Sequence, residues 1–178
     1  MAGIALTFDE HEFIVSKTDL AGKIIYGNQL FIEMSGYSEF ELLGSPHNIL
    51  RHRDMPGCVF KYLWETIKEK KEVFAYVVNK TKNDDYYWVM AHVTASLNDH
   101  NELIGYHSVR RKPTQKALQQ IQPIYQSLLE GERRGGIRAG EEALINFLAQ
   151  KKVSYDEYIL SLNYSILMLF QFLFLLWH

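Results

Sequence analysis

One cysteine in 178 residues, Cys58, excludes an intrachain disulfide and fits a reducing compartment. Its spacing from the histidines matches no structural zinc pattern. Charge of either sign is scarce in excess: the formal net charge is −2, which argues against a nucleic-acid partner. Met1 to Glu10 has neither a basic start nor a long apolar run, so it does not read as a secretory signal, and a chain beginning in the cytoplasm is expected. There is no glycine-rich phosphate loop, and no Ser/His/Asp or Cys/His pair sits in the context of a nucleophile. No catalysis is expected. Repeats and low-complexity tracts are missing too.

Proline is rare, yet two of the four prolines bracket the most unusual stretch, Pro46-His-Asn-Ile-Leu-Arg-His-Arg-Asp-Met-Pro56. It concentrates two imidazoles, two guanidinium groups and a carboxylate between residues that restrict the backbone. Such a segment suits a turn that bends around something polar; the bland alternative is a solvated surface turn.

Around it the pattern is regular. Glu12–Thr18 and Lys23–Tyr26 are β-prone and separated by Asp19-Leu20-Ala21-Gly22, which predicts an opening hairpin. Asn28–Ser35 has helical spacing and stops at Gly36. Ser38 with Glu41 forms a capping-box pattern ahead of a short helix ending at Gly44. Val59, Phe60, Leu63, Trp64 and Ile67 mark an amphipathic helix over Cys58–Lys70. Three strands are predicted at Val73–Lys80, Tyr86–Leu97 and Leu103–Arg111. The order predicts an α+β domain with short helices on one face of a five-stranded antiparallel sheet. Residues 1–17 form an N-terminal cap and first-strand start, 18–112 the core, 113–131 an exit helix, 132–158 a helical linker and 159–178 a hydrophobic tail.

The stretch from about Thr18 to Gly131 resembles a PAS domain and, within that fold family, the sensors of the Aer-like energy and aerotaxis receptors. The resemblance rests on Met34-Ser35-Gly36-Tyr37, Glu41-Leu42-Leu43-Gly44, His47-Asn48 and Arg51-His52-Arg53-Asp54-Met55-Pro56. It continues through Phe60, Trp64, Asn79, Lys82-Asn83-Asp84, Tyr87-Trp88-Val89, Gly105-Tyr106 and Val109-Arg110. It implies a redox sensor with FAD held non-covalently between helices and sheet. Arg51, His52 and Asp54 become flavin-binding candidates, with Asn28, Trp64, Asn79 and Trp88 along the pocket walls. A flavin suits such residues: the ring needs a flat apolar slot with polar partners at its edge, and a diphosphate favours arginine. The resemblance also implies a membrane chemoreceptor or transducer as partner, and admits a homodimer.

Two departures qualify this. Arg53 stands where the family often has proline. Val73-Phe74-Ala75 replaces a tryptophan-containing stretch, leaving Phe74 as the ring available there. No Asn-Cys-Arg-Phe-Leu-Gln motif is present, so Cys58 is expected in a helix core and not as a photoadduct cysteine. His47 reads as a capping or supporting group, and Asp54 also reads as an N-cap for the helix beginning near Gly57. Haem is the alternative cofactor, with His92 or His107 as axial ligand if either faces inward. A cofactor-free docking module is the third reading. Finally, the uncharged run from Ile159 to Trp177 matches the length of a membrane span of about 20 residues. Lys151 and Lys152 precede it on the side expected to stay inside. A C-terminal anchor on the inner face of the cytoplasmic membrane is expected, against a helix that buries itself on protein.

Overall fold

The computed structural model describes residues 3–162. Most of the proposed anchor, from residue 163 onward, lies outside the described residues. Among the described residues no helix is long and apolar enough to cross a membrane.

The chain opens with β1 (Ala5–Leu6), then the hairpin β2 (Ile14–Thr18) and β3 (Ile24–Gly27). Helix α1 (Gln29–Ser35) starts at Asn28, whose side-chain oxygen accepts the N–H of Phe31, and ends at Gly36 with φ of 71°. That left-handed cap is the conformation only glycine adopts without strain. Helix α2 (Glu39–Leu42) carries the full Ser38/Glu41 capping box. A 3-10 turn covers His47–Leu50, and α3 (Gly57–Lys68) follows.

Strands β4 (Val73–Lys80), β5 (Tyr86–Leu97) and β6 (Leu103–Arg111) complete the sheet in the antiparallel order β4-β5-β6-β2-β3. These five strands lie where the sequence predicts them. A sixth, β1, adds a two-residue parallel pairing against Tyr86 and Tyr87 of β5. It is held there by a side-chain bond that no local pattern announces: Asp85 Oδ1 accepts the N–H of Ile4 at 2.8 Å.

Alternation assigns faces. Ile14, Ser16, Thr18, Val77, Asn79, Ala91, Val93, Tyr106, Ser108 and Arg110 share the inner face, beneath α3. Tyr76, Trp88 and Met90 share the outer face. Strand β4 is buried at almost every residue because both of its faces are covered. Helix α4 (Gln115–Lys151) and α5 (Tyr155–Ser161) supply the outer cover. On it, Ile121, Tyr125 and Leu128 are buried, and the Tyr125 hydroxyl donates to the Tyr76 carbonyl at 2.6 Å.

Helix α4 is broken at Gly135 and Gly136; the latter sits at φ 71°, ψ −172°, a region open essentially to glycine alone. The chain doubles back there, and the returning arm meets α3. The Glu132 carboxylate accepts the N–H groups of Gly57 (3.0 Å) and Cys58 (2.7 Å), and Lys61 pairs with Glu141 at 2.6 Å. Glu132 therefore caps α3 from 75 residues away, satisfying N–H groups that open every helix and placing negative charge at its positive end. Asp54 does not cap that helix: its N-cap is Pro56, with no side-chain cap from the preceding segment. Cys58 is buried beneath this junction, where desolvation and Glu132 push its thiol up to about 12.

Candidate functional site

Between α3 and the inner face of the sheet lies a cavity of about 260 Å³. Its apolar wall is formed by Phe60, Leu63, Trp64 and Ile67 of α3 with Val77, Ala91 and Val93 of the sheet. Trp64 stands edge-on to Tyr106 with ring centroids 5.3 Å apart. The polar wall is formed by Ser16, Thr18, Asn79, Ser108 and Arg110 of the strands with His47, Asn48 and Arg51 of the segment before α3.

Arg110 dominates the electrostatics. It is 5% exposed and no carboxylate pairs with it among the described residues. Nη2 donates to Ser16 Oγ (2.9 Å) and to His47 Nε2 (2.8 Å), and the guanidinium lies 5.7 Å from the Phe31 ring centroid. Arginine can only donate, so Nε2 of His47 must accept and the ring proton sits on Nδ1. Burial, with Arg110 alongside, pushes the His47 imidazole down to about 3. Burial also pushes the Arg110 guanidinium down to about 10, which leaves it charged at neutral pH.

Among the described residues several buried polar atoms on this side have no hydrogen-bond partner: Arg110 Nη1, Ser108 Oγ, Thr18 Oγ1 and Tyr87 OH. Native interiors rarely leave such groups unpaired, since each costs roughly 1–3 kcal/mol. Three of the four residues line the cavity. Together they describe a complement to a ligand bearing acceptors and partial negative charge. A flavin ring edge has that chemistry, and the flat apolar wall opposite suits its faces, so the residues present fit the group.

The candidate residues separate into two groups. Arg51, Trp64 and Asn79 line the cavity. Asn28 does not: its amide is engaged by Val15 N, Phe31 N and the Phe13 carbonyl, tying α1 to β2. Trp88 is on the outer face, 6.0 Å from the Tyr125 ring, because strand alternation sends it opposite to Tyr87 and Val89. Phe74 likewise points outward and stacks on His92 at 4.3 Å, so it does not supply a ring to the cavity. His92 bonds Glu72 at 2.7 Å on that outer side, and His107 sits there near Lys17 and His92. His92 therefore offers no inward axial ligand, while His107 borders the cavity from a strand position that alternates outward between Tyr106 and Ser108.

His52 and Asp54 line a second, larger space, an outer groove of about 1100 Å³. There the His52 ring lies 5.6 Å from Tyr86, and its Nδ1 accepts the Asp54 N–H at 3.1 Å. Burial lowers the His52 pKa, with Asp54 opposing the shift. Arg51 borders both spaces, over the Phe60 ring at 4.8 Å, and its backbone bridges to Asn79. Arg110, its partner Ser16 and the neighbouring Ser108 were not among the candidates. Their signal was present, since the alternation Tyr106, Ser108, Arg110 puts a charge on the buried face of a strand. Glu132 had no local signal.

Comparison with known proteins agrees with this architecture. Residues 24–110 match the family model described as PAS fold. The chain is 35% identical over 127 residues to the aerotaxis receptor of Escherichia coli, covering 71% of this chain and 25% of that protein. It is 27% identical over 110 residues to the nitrogen fixation regulatory protein of Klebsiella oxytoca, covering 61% of this chain and 22% of that one. The chain thus spans about a quarter of the length of these relatives. Among solved structures, the PAS domain of a Colwellia psychrerythraea protein superposes with a TM-score of 0.52 at 19% identity, covering 57% of this chain and 86% of the other. The light-state LOV domain of the blue-light photoreceptor Aureochrome1 gives 0.55 at 16%, covering 62% and 88%. These two likenesses speak to the fold. The domain built by residues 24–110 is a PAS domain of the Aer-like sensor family.

Proposed function

We propose that this PAS domain is a redox sensor of energy state or oxygen that binds FAD non-covalently and signals to a chemotaxis transducer at the inner face of the cytoplasmic membrane. The observation that carries the reading is the uncompensated Arg110 guanidinium, buried at the cavity with Nη1 unpartnered beside Ser108 and Thr18. A buried cation without a counter-charge is costly unless a ligand supplies one. The similarity to the Escherichia coli aerotaxis receptor supports the same reading.

A flavin supplies reversible electron transfer, with charge and protons changing at the edge of its ring. The chain's part is to hold that edge. Arg110 provides a fixed positive charge, and Ser108 and Thr18 provide hydroxyls. His47, kept neutral, orients Arg110 without adding a second cation. Trp64 and the aliphatic wall exclude water from the ring faces. Because Arg110 and Ser108 sit on β6 and Ser16 and Thr18 on β2, a change of charge at the ligand alters hydrogen bonds that span two paired strands. No substrate is turned over; the output is a shift between two arrangements of the domain.

Absorption of the purified full chain tests this. A flavin band, with FAD released on denaturation, is the expected result. A Soret band would replace the reading with a haem sensor. A colourless protein that takes up no added flavin would leave a docking module. Arg51→Ala with His52→Ala is expected to lower FAD occupancy without unfolding the domain; full occupancy in the double variant would remove those residues from the site.

A further inference from the structure

The interior cavity, at about 260 Å³, falls short of the roughly 300–1,000 Å³ of ordinary ligand pockets. A tricyclic ring occupies such a space; a dinucleotide does not. Arg51 stands at the threshold between this cavity and the outer groove, which is about four times larger. The groove has three walls: the Arg51–Met55 segment, the β4–β5 surface at Lys80, Tyr86 and Trp88, and the α4 surface at Tyr125 and Arg133.

Its charges are unequally engaged. Among the described residues Lys80 and Arg133 form no ion pair, and Arg51 rests only on the Phe60 ring. The wall carboxylates are largely engaged, Asp54 with groove residues themselves. Glu132 caps α3, Glu130 reaches Arg134 at 4.0 Å, and Asp54 lies 3.9 Å from Arg53 and 3.8 Å from His52. Only Asp84 faces the groove without a cationic partner among the described residues. The floor also carries two aromatic pairs, His52–Tyr86 and Trp88–Tyr125. Cations near aromatic faces, beyond the mouth of a ring-sized cavity, are what a diphosphate followed by a purine requires.

We propose that the outer groove holds the diphosphate–adenosine arm of the dinucleotide between Lys80 of the sheet and Arg133 of α4, so that FAD fastens the C-terminal helical hairpin to the sensor core. This rests on the flavin reading above and deepens it. Selectivity for the dinucleotide over riboflavin arises in the groove, and ring binding arises in the cavity. The same contact makes cofactor loading visible to α4, which continues through the glycine break into the arm that meets α3.

The test uses the full chain stripped of ligand and titrated with riboflavin, FMN and FAD. Native protein is expected to bind FAD at least about tenfold more tightly than riboflavin, the scale of one charge-assisted contact. Arg133→Ala, at an exposed residue, and Lys80→Ala, at a half-buried one, should each remove most of that difference while leaving riboflavin affinity within about twofold, since neither lines the cavity. Hydrogen exchange across residues 132–151 should slow more with FAD than with riboflavin. Equal affinity for FAD and riboflavin, or FAD affinity unchanged in both variants, would overturn the groove assignment and leave the ring site standing. Failure of all three ligands to bind would instead sink the flavin reading and this proposal with it.

Discussion

On β4, β5 and β6 alternate residues point to opposite sides of one sheet, and the two sides treat polar atoms differently. Outward, Tyr76 and Trp88 meet α4, and the buried hydroxyl there is used: Tyr125 bonds the Tyr76 carbonyl. Inward, Arg110 Nη1, Ser108 Oγ and Thr18 Oγ1 are buried without partners. Among the described residues Tyr155 OH and Asp156 Oδ1 at the α5 end also lack a close partner, but Tyr155 lies beside the Tyr125 hydroxyl and neither residue lines the interior cavity. The outer face is finished by protein. The inner face leaves polar atoms that the protein itself does not satisfy, and the same strands carry both designs because the side-chain period is two.

The largest effect should come from breaking the finished side. Leu128→Ala removes a side chain only 2% exposed and should cost about 2–5 kcal/mol in denaturant unfolding. Riboflavin affinity of the folded fraction should not change; a parallel loss of ring affinity would erase the distinction between the faces. The opposite signature is expected of Arg110→Leu. Removing an uncompensated buried cation should leave the ligand-free protein as stable or up to about 3 kcal/mol more stable. Riboflavin affinity should fall by about tenfold or more, as for loss of a charged hydrogen bond. A destabilised ligand-free variant would mean that Arg110 serves the fold.

Acid sensitivity separates the faces by a smaller step. His47 is held neutral down to about pH 3 in the fold, whereas an unfolded imidazole protonates near 6.5. Between those values the unfolded chain binds the extra proton, so stability falls as pH falls, by up to about 1.4 kcal/mol per pH unit. Unfolding midpoints measured from pH 7 to pH 4 should therefore decline, and His47→Gln should flatten that slope. An unchanged slope would show that His47 is not the group responsible.

How much of this was legible depends on range. Strands β4 to β6 were readable because Val, Phe and Tyr fill them and Asn98 closes the last turn through its own side chain, accepting the N–H groups of His100 and Glu102. The face of each residue was readable as well. Alternation alone puts Trp88 opposite Tyr87, yet resemblance had drawn Trp88 toward the pocket; strand period is the better guide to where a side chain points. Long-range pairings were not readable. Neither the seating of β1 beside Tyr86 nor the use of Glu132 by α3 follows from neighbours in sequence, because both are fixed only when the hairpin and sheet have formed.

Ser108→Ala is the gentlest probe of the contrast. The hydroxyl is buried, unpartnered in the protein and at the cavity wall. If its partner is the ligand, deletion removes an unsatisfied group from the empty protein and a hydrogen bond from the loaded one. The ligand-free form should then be unchanged or slightly stabilised. Riboflavin affinity should fall by a few-fold, the equivalent of a neutral hydrogen bond worth about 0.5–1.5 kcal/mol. Tyr125→Phe on the outer face should do the reverse, destabilising the ligand-free protein by about 1–3 kcal/mol because the Tyr76 carbonyl loses its donor, with riboflavin affinity unmoved. Measured side by side, the two hydroxyl deletions have opposite signatures only if the inner face is completed by a bound molecule. Identical responses would make the orphaned inner atoms ordinary packing defects.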